Sequence, residues 1–199
     1  MNRVAILIDG SNFLAQLDSC GLGYPALAPL VSWIRGPDQL VYARFYSAPQ
    51  LIEPFASRWK AFRSANRHVV GLEFFQGYRD RNNREKVIDV ALAVDLIYGC
   101  ANNHFDRVAL VGGDADHYYA VKIARTMRRR VKVWLMPPQP SGNLAAERIP
   151  YYHMSVHELV SRGVADRASQ APVPIGHRAP LGSPDLTPRF TGAFAKPVT

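Results

Sequence analysis

The chain has 199 residues, 48% of them hydrophobic, with a formal net charge of +8 and a pI near 9.8. Such a length suits one domain with an added tail, and the excess of Lys and Arg points to an anionic partner, for which nucleic acid is the commonest choice. Two cysteines outside any paired spacing argue against a disulfide framework or zinc site, and the absence of a leader-like start or a long apolar run argues against export or a membrane span, so a cytoplasmic, reducing setting is expected.

Residues 4–8 (VAILI) form a short apolar run ending at Asp9-Gly10, the pattern of a strand buried on both faces of a parallel sheet. Ser11 or Asn12 can cap a helix through about Leu17, and residues 24–34 form a second helix stopped by Gly36-Pro37. Residues 39–47 (QLVYARFYS) read as the second strand. Leu51, Phe55, Trp59 and Phe62 make the apolar stripe of a helix over 50–65, followed by a third strand over 69–75 and a basic surface loop over 76–84. Residues 85–100 form the longest helix, apolar all round its axis and therefore expected to be largely buried. A strand over 107–111, a helix over 115–130 and a strand over 131–136 follow, then a short helix near 143–148, an edge strand near 149–153 and a last helix near 156–162. The first domain is expected to span 1–163. In 164–199 six prolines and few large apolar side chains predict an extended or disordered tail, a candidate contact for self-association or a protein partner.

Strands alternating with helices predict an α/β fold with a mostly parallel central sheet and helices on both faces. Such folds bind ligands beyond the carboxyl ends of the strands. Asp9 follows the first strand, and Asp114 and Asp116 follow the strand over 107–111 across a Gly112-Gly113 turn. A single Asp there is commonly just a helix cap, but three converging carboxylates repel one another unless a cation lies between them. Asp89 and Asp95 interrupt the apolar helix and each needs a compensating partner; Asp89 sits in its first turn, near the strand ends, whereas an Arg pair is the competing reading for Asp95. A set of Asp oxygens without His or Cys is a hard-ligand site that suits Mg²⁺ or Mn²⁺ rather than zinc. Arg81, Arg84 and Lys86 lead into Asp89 and can hold phosphates, with Tyr78 as a stacking candidate. Arg125, Arg128, Arg129, Arg130 and Lys132 read equally well as a second phosphate cluster or as a solvated helix end.

The segments IDGSN (8–12), KVIDVALAVDL (86–96) and VGGDADHYYAV (111–121) together resemble the NYN domain, most closely its LabA-like branch within the PIN-like nuclease superfamily, over about residues 4–160. The resemblance implies a Rossmann-like PIN fold and metal-dependent RNA cleavage. Its acidic positions fall on Asp9, Asp89, Asp114 and Asp116, with Asp95 also matching the helix pattern. Asn12, and Ser11 beside it, match the polar positions after the first Asp, where a ligand would be oriented. Where the family reads SGDSDF, this chain has Gly112, Ala115 and His117. For His117 two readings stand, an approach to the scissile phosphate or plain packing.

The expected activity is therefore a Mg²⁺- or Mn²⁺-dependent endoribonuclease acting on single-stranded RNA. The alternative is a catalytically silent RNA-binding or regulatory module of the same fold. A phosphatase of the haloacid dehalogenase type ranks last, because its chemistry needs a second Asp two residues after the first, where this chain has Ser11.

Overall fold

The computed structural model describes residues 1–136 and 149–167. Six strands form one parallel sheet: β1 (Arg3–Asp9), β2 (Gln39–Ser47), β3 (Leu72–Gln76), β6 (Arg107–Val111), β7 (Arg130–Leu135) and β8 (Tyr151–His153), in the order β3-β2-β1-β6-β7-β8. A separate two-stranded hairpin pairs β4 (Tyr78–Arg79) with β5 (Glu85–Lys86). The chain builds outward from β1 to β2 and β3, then crosses to β6 on the other side. The strand order thus reverses between β1 and β6, where Ile8 is registered with Val111. Adjacent connections diverge at such a point and open a crevice above the strand ends.

Alternation along the strands divides the core into two layers. Val4, Ile6, Ile8, Phe45 and Val111 pack under α1 (Gly10–Ser19), α2 (Leu27–Arg35), α3 (Phe55–Asn66) and α6 (Val156–Ser161). Ala5, Leu7, Tyr46, Val108 and Leu110 pack under α4 (Ile88–Ala101) and α5 (Tyr118–Thr126). This is the expected α/β arrangement with helices on both faces, consistent with a PIN-like fold.

Several local expectations are corrected. Helix α1 is capped by Asp9 rather than Ser11 or Asn12, because the Asp9 carboxylate accepts the Asn12 amide. Helix α3 begins only after Pro54, leaving Leu51 exposed outside it. The basic segment is a hairpin rather than a plain loop. Helix α4 is not buried all round: it turns Ile88, Leu92 and Leu96 to the sheet, while Val90, Val94 and Tyr98 are 66%, 57% and 60% exposed. Uniform apolarity gives no direction, so its sequence did not tell the covered face from the open one. The predicted helix over 115–130 is a short 3₁₀ turn, Ala115–His117, leading into α5.

The expected helix near 143–148 lies outside the described residues. Packing continues beyond residue 163: Val164 and Ala165 are buried, and the Asp166 carbonyl accepts the Gly23 amide. Positions 168–199 lie outside the described residues.

Candidate metal centre

Asp9 ends β1 on the side facing α4, following Ala5 and Leu7, and is only 2% exposed. One oxygen, Oδ1, accepts the Asn12 amide at 3.1 Å. The other, Oδ2, lies 3.0 Å from Nε2 of His117, itself 1% exposed. Gly10 begins α1 with no room for a side chain: a Cβ there would stand 2.1 Å from the Phe45 ring. The Asp9-Gly10 pair thus lets β1 turn directly into α1 while keeping the carboxylate at the crevice floor.

The opposite wall is the turn after β6. Gly112 has φ +135°, and a Cβ on it would meet the Asp9 Cβ at 2.9 Å. Only glycine tolerates both that backbone and that approach. Asn12 braces the turn, its Oδ1 accepting the Gly113 amide at 3.0 Å and Gln16 Nε2 at 2.8 Å. Its role is thus to fix β6 against α1. Asp114 then caps the 3₁₀ turn by accepting the Asp116 amide at 3.0 Å, and the turn delivers His117 back toward Asp9.

Asp89 enters from the first turn of α4. The residue that starts this helix, Val87, has φ +76°. A left-handed backbone is unfavourable for a β-branched residue, and it marks a forced junction between the hairpin and the helix. Ligand atoms of Asp9, Asp89 and His117 all lie within 4.8 Å of one another. Two carboxylates that close repel by about 1–3 kcal/mol for effective dielectric constants of about 80 to 20. Desolvation by the crevice wall, then the charge on Asp9, raises the Asp89 pKa; His117 opposes them less strongly, and Asp114 and Asp116 add smaller upward pushes. Burial pulls the His117 imidazole down, but its hydrogen bond to Asp9 and the charges of Asp9, Asp89 and Asp114 outweigh it and raise it.

Of the four expected acidic residues, Asp9 and Asp89 belong to the 4.8 Å group, whereas Asp114 and Asp116 fall outside it and bear on Asp89 by charge. Asp95 does not join them. Its Oδ2 accepts from Arg44 Nη1 at 2.5 Å and from the Tyr46 hydroxyl at 2.7 Å, so it ties α4 to β2. The Arg-pair reading is the one that applies to it.

Ser11 is a latch: its hydroxyl donates to Glu85, whose other oxygen accepts from Arg79 at 2.7 Å. Arg79 also donates to the Pro49 and Asn83 carbonyls. The hairpin base is thereby anchored to α1 and to the end of β2. Arg81 and Arg84 project from its exposed tip, and Lys86 pairs with Asp80 at 3.4 Å.

The donor set fits a divalent cation: hard carboxylate oxygens in mutual repulsion, one imidazole, and no lysine or arginine side chain paired with Asp9 or Asp89 among the described residues. His117 was the least legible member in the sequence. Its only signal was the spacing DxxH within a glycine-led turn, which means little until that turn is known to be 3₁₀.

The sequence profile of the NYN domain matches residues 3–152. No curated protein matches the chain. Among solved structures, one of a protein of unknown function from Vibrio parahaemolyticus is similar at a TM-score of 0.62 and 23% identity, covering 77% of this chain and 93% of that one. A likeness at that identity concerns the fold.

Proposed function

Because the chain belongs to the NYN domain family, a member of the PIN-like nuclease superfamily, we propose that it is a divalent-metal-dependent endoribonuclease of the LabA-like branch, acting on single-stranded RNA in the cytoplasm. The observation that carries this reading is the meeting of Asp9, Asp89 and His117 at the sheet's reversal point, with Asp114 and Asp116 adding negative charge. Asp9 and Asp89 would hold the ion, Mg²⁺ or Mn²⁺, with Asp114 and Asp116 flanking it. When bound, such an ion supplies a water nucleophile at neutral pH and charge stabilisation for the departing oxygen of a phosphodiester.

The chain's own residues do the rest. Asn12 and Gly112 hold the two walls of the crevice at fixed separation. The Ser11–Glu85–Arg79 latch holds the hairpin beside the mouth, so that Arg81, Arg84 and Lys86 can take the backbone phosphates flanking the scissile one. Tyr78, 58% exposed in the same hairpin, offers a face for a base. The net charge of +8 favours a polyanion over a small neutral substrate.

Labelled single-stranded RNA incubated with Mn²⁺ or Mg²⁺ is expected to be cut, with cleavage lost in excess chelator. The Asp9→Asn variant, which retains a helix-capping oxygen, is expected to cut at least about 100-fold more slowly while remaining folded. Equal rates for the two proteins would overturn the assignment. A second reading, an RNA-binding module without turnover, is favoured by one observation: both Asp9 oxygens already have protein partners, the Asn12 amide and His117. Salt-dependent RNA binding with no metal-stimulated cleavage would select it.

A further inference from the structure

Given the metal site proposed above, on which this inference rests, we infer that His117 is itself a ligand through Nε2, making the centre a mixed nitrogen–oxygen site that selects Mn²⁺ over Mg²⁺. The argument begins with distances. Two donors side by side on an octahedral ion, each bonded at about 2.1 Å, stand about 3.0 Å apart, and opposed donors about 4.2 Å. His117 Nε2 lies 3.0 Å from Asp9 Oδ2, the spacing of adjacent ligands. The Asp89 donor completes a group spanning no more than 4.8 Å, which an ion would draw in by about 0.6 Å to reach the span of opposed donors.

Side-chain burial supplies the second part. His117 is 1% exposed, so its ring is held by packing and cannot swing into solvent. Its Nδ1 is buried without a hydrogen-bond partner among the described residues. The Asp9 contact holds a proton on Nε2 until an ion displaces it, and no contact at Nδ1 opposes moving that proton to the other nitrogen. With the proton on Nδ1, the Nε2 lone pair faces Asp9 and Asp89. A residue serving only to pack would not aim a ring nitrogen at two carboxylates.

Ligand chemistry then gives the selectivity. Mg²⁺ takes oxygen donors and sheds water reluctantly, whereas Mn²⁺ accepts carboxylate and imidazole together. An aromatic hydrocarbon at position 117 would leave an all-oxygen site. Histidine here changes which ion the same carboxylates prefer.

The test uses the full chain loaded with Mn²⁺ and studied by electron spin-echo spectroscopy. Modulation from a directly bound ¹⁴N is expected, and it should change to the ¹⁵N pattern when the protein is grown with ¹⁵N-histidine. Calorimetric titration of His117→Gln, with its fold checked by circular dichroism, is expected to show Mn²⁺ affinity reduced by about 10–100-fold and Mg²⁺ affinity by less than about threefold. Mn²⁺ that binds in an Asp9-dependent manner without nitrogen modulation would overturn the role of His117 and leave the metal site standing. Binding of neither ion by the wild-type protein would overturn both.

Discussion

Helix α4 carries two aspartates, Asp89 and Asp95, six residues apart, and their surroundings have little in common. Asp95 is neutralised: Arg44 and the Tyr46 hydroxyl both donate to one of its oxygens, and Arg44 is in turn shared with Glu73. Asp89 faces the Asp9 carboxylate and a histidine, with two more aspartates bearing on it. The Asp95 node is electrically closed and holds α4 to β2; the Asp89 end is open and has a demand for positive charge that the surrounding carboxylates increase. An acidic residue interrupting an apolar helix is therefore not by itself a sign of a site. The sign is a carboxylate whose neighbours share its charge.

The sharpest way to break this contrast is to remove the charge at the closed end. Asp95→Asn should lower stability by about 2 kcal/mol, because it leaves the half-buried Arg44 with only Glu73 and weakens the bond to Tyr46. Urea denaturation would measure the loss. Divalent-ion affinity should be unchanged within about threefold, and a larger fall would mean that Asp95 belongs to the site after all.

A smaller effect is expected at the junction that feeds the open end. Val87 is held at φ +76° and is 46% exposed. Val87→Asn, a residue that accepts the left-handed region, should raise stability by about 1 kcal/mol. Any accompanying loss of metal affinity would show that the strained turn helps to aim Asp89.

The smallest effect is one of pH. Because the folded-state pKa of Asp89 is raised, the fold holds that proton more tightly than the unfolded chain does. Asp89 therefore opposes folding progressively as pH climbs from its unfolded value through its folded one. In chelator, Asp89→Asn should match the wild type in acid and become the more stable protein as pH rises through that window. Thermal melts at a series of pH values would show the divergence, and saturating Mn²⁺ should reverse the order by stabilising only the wild type.

Much of this molecule was legible in its residues. The apolar run before Asp9, the strand before Gly112 and the alternation of strands with helices were enough to place Asp9, Asp114 and Asp116 at one edge of a parallel sheet, since strand-to-helix turns in such folds gather there. Sequence order also carried the family. Tertiary structure alone decided what each polar side chain meets. Only its place in the first turn set Asp89 apart from Asp95 in the helix over 85–100, and nothing set the covered Leu92 apart from the exposed Val94, because a uniformly apolar helix has no preferred face until a sheet is laid against it. Nothing local announced that Ser11 would hold Glu85 or that His117 would turn onto Asp9. Backbone periodicity is a property of neighbours along the chain, whereas the charge balance of a site depends on residues brought together from 74 to 108 positions apart.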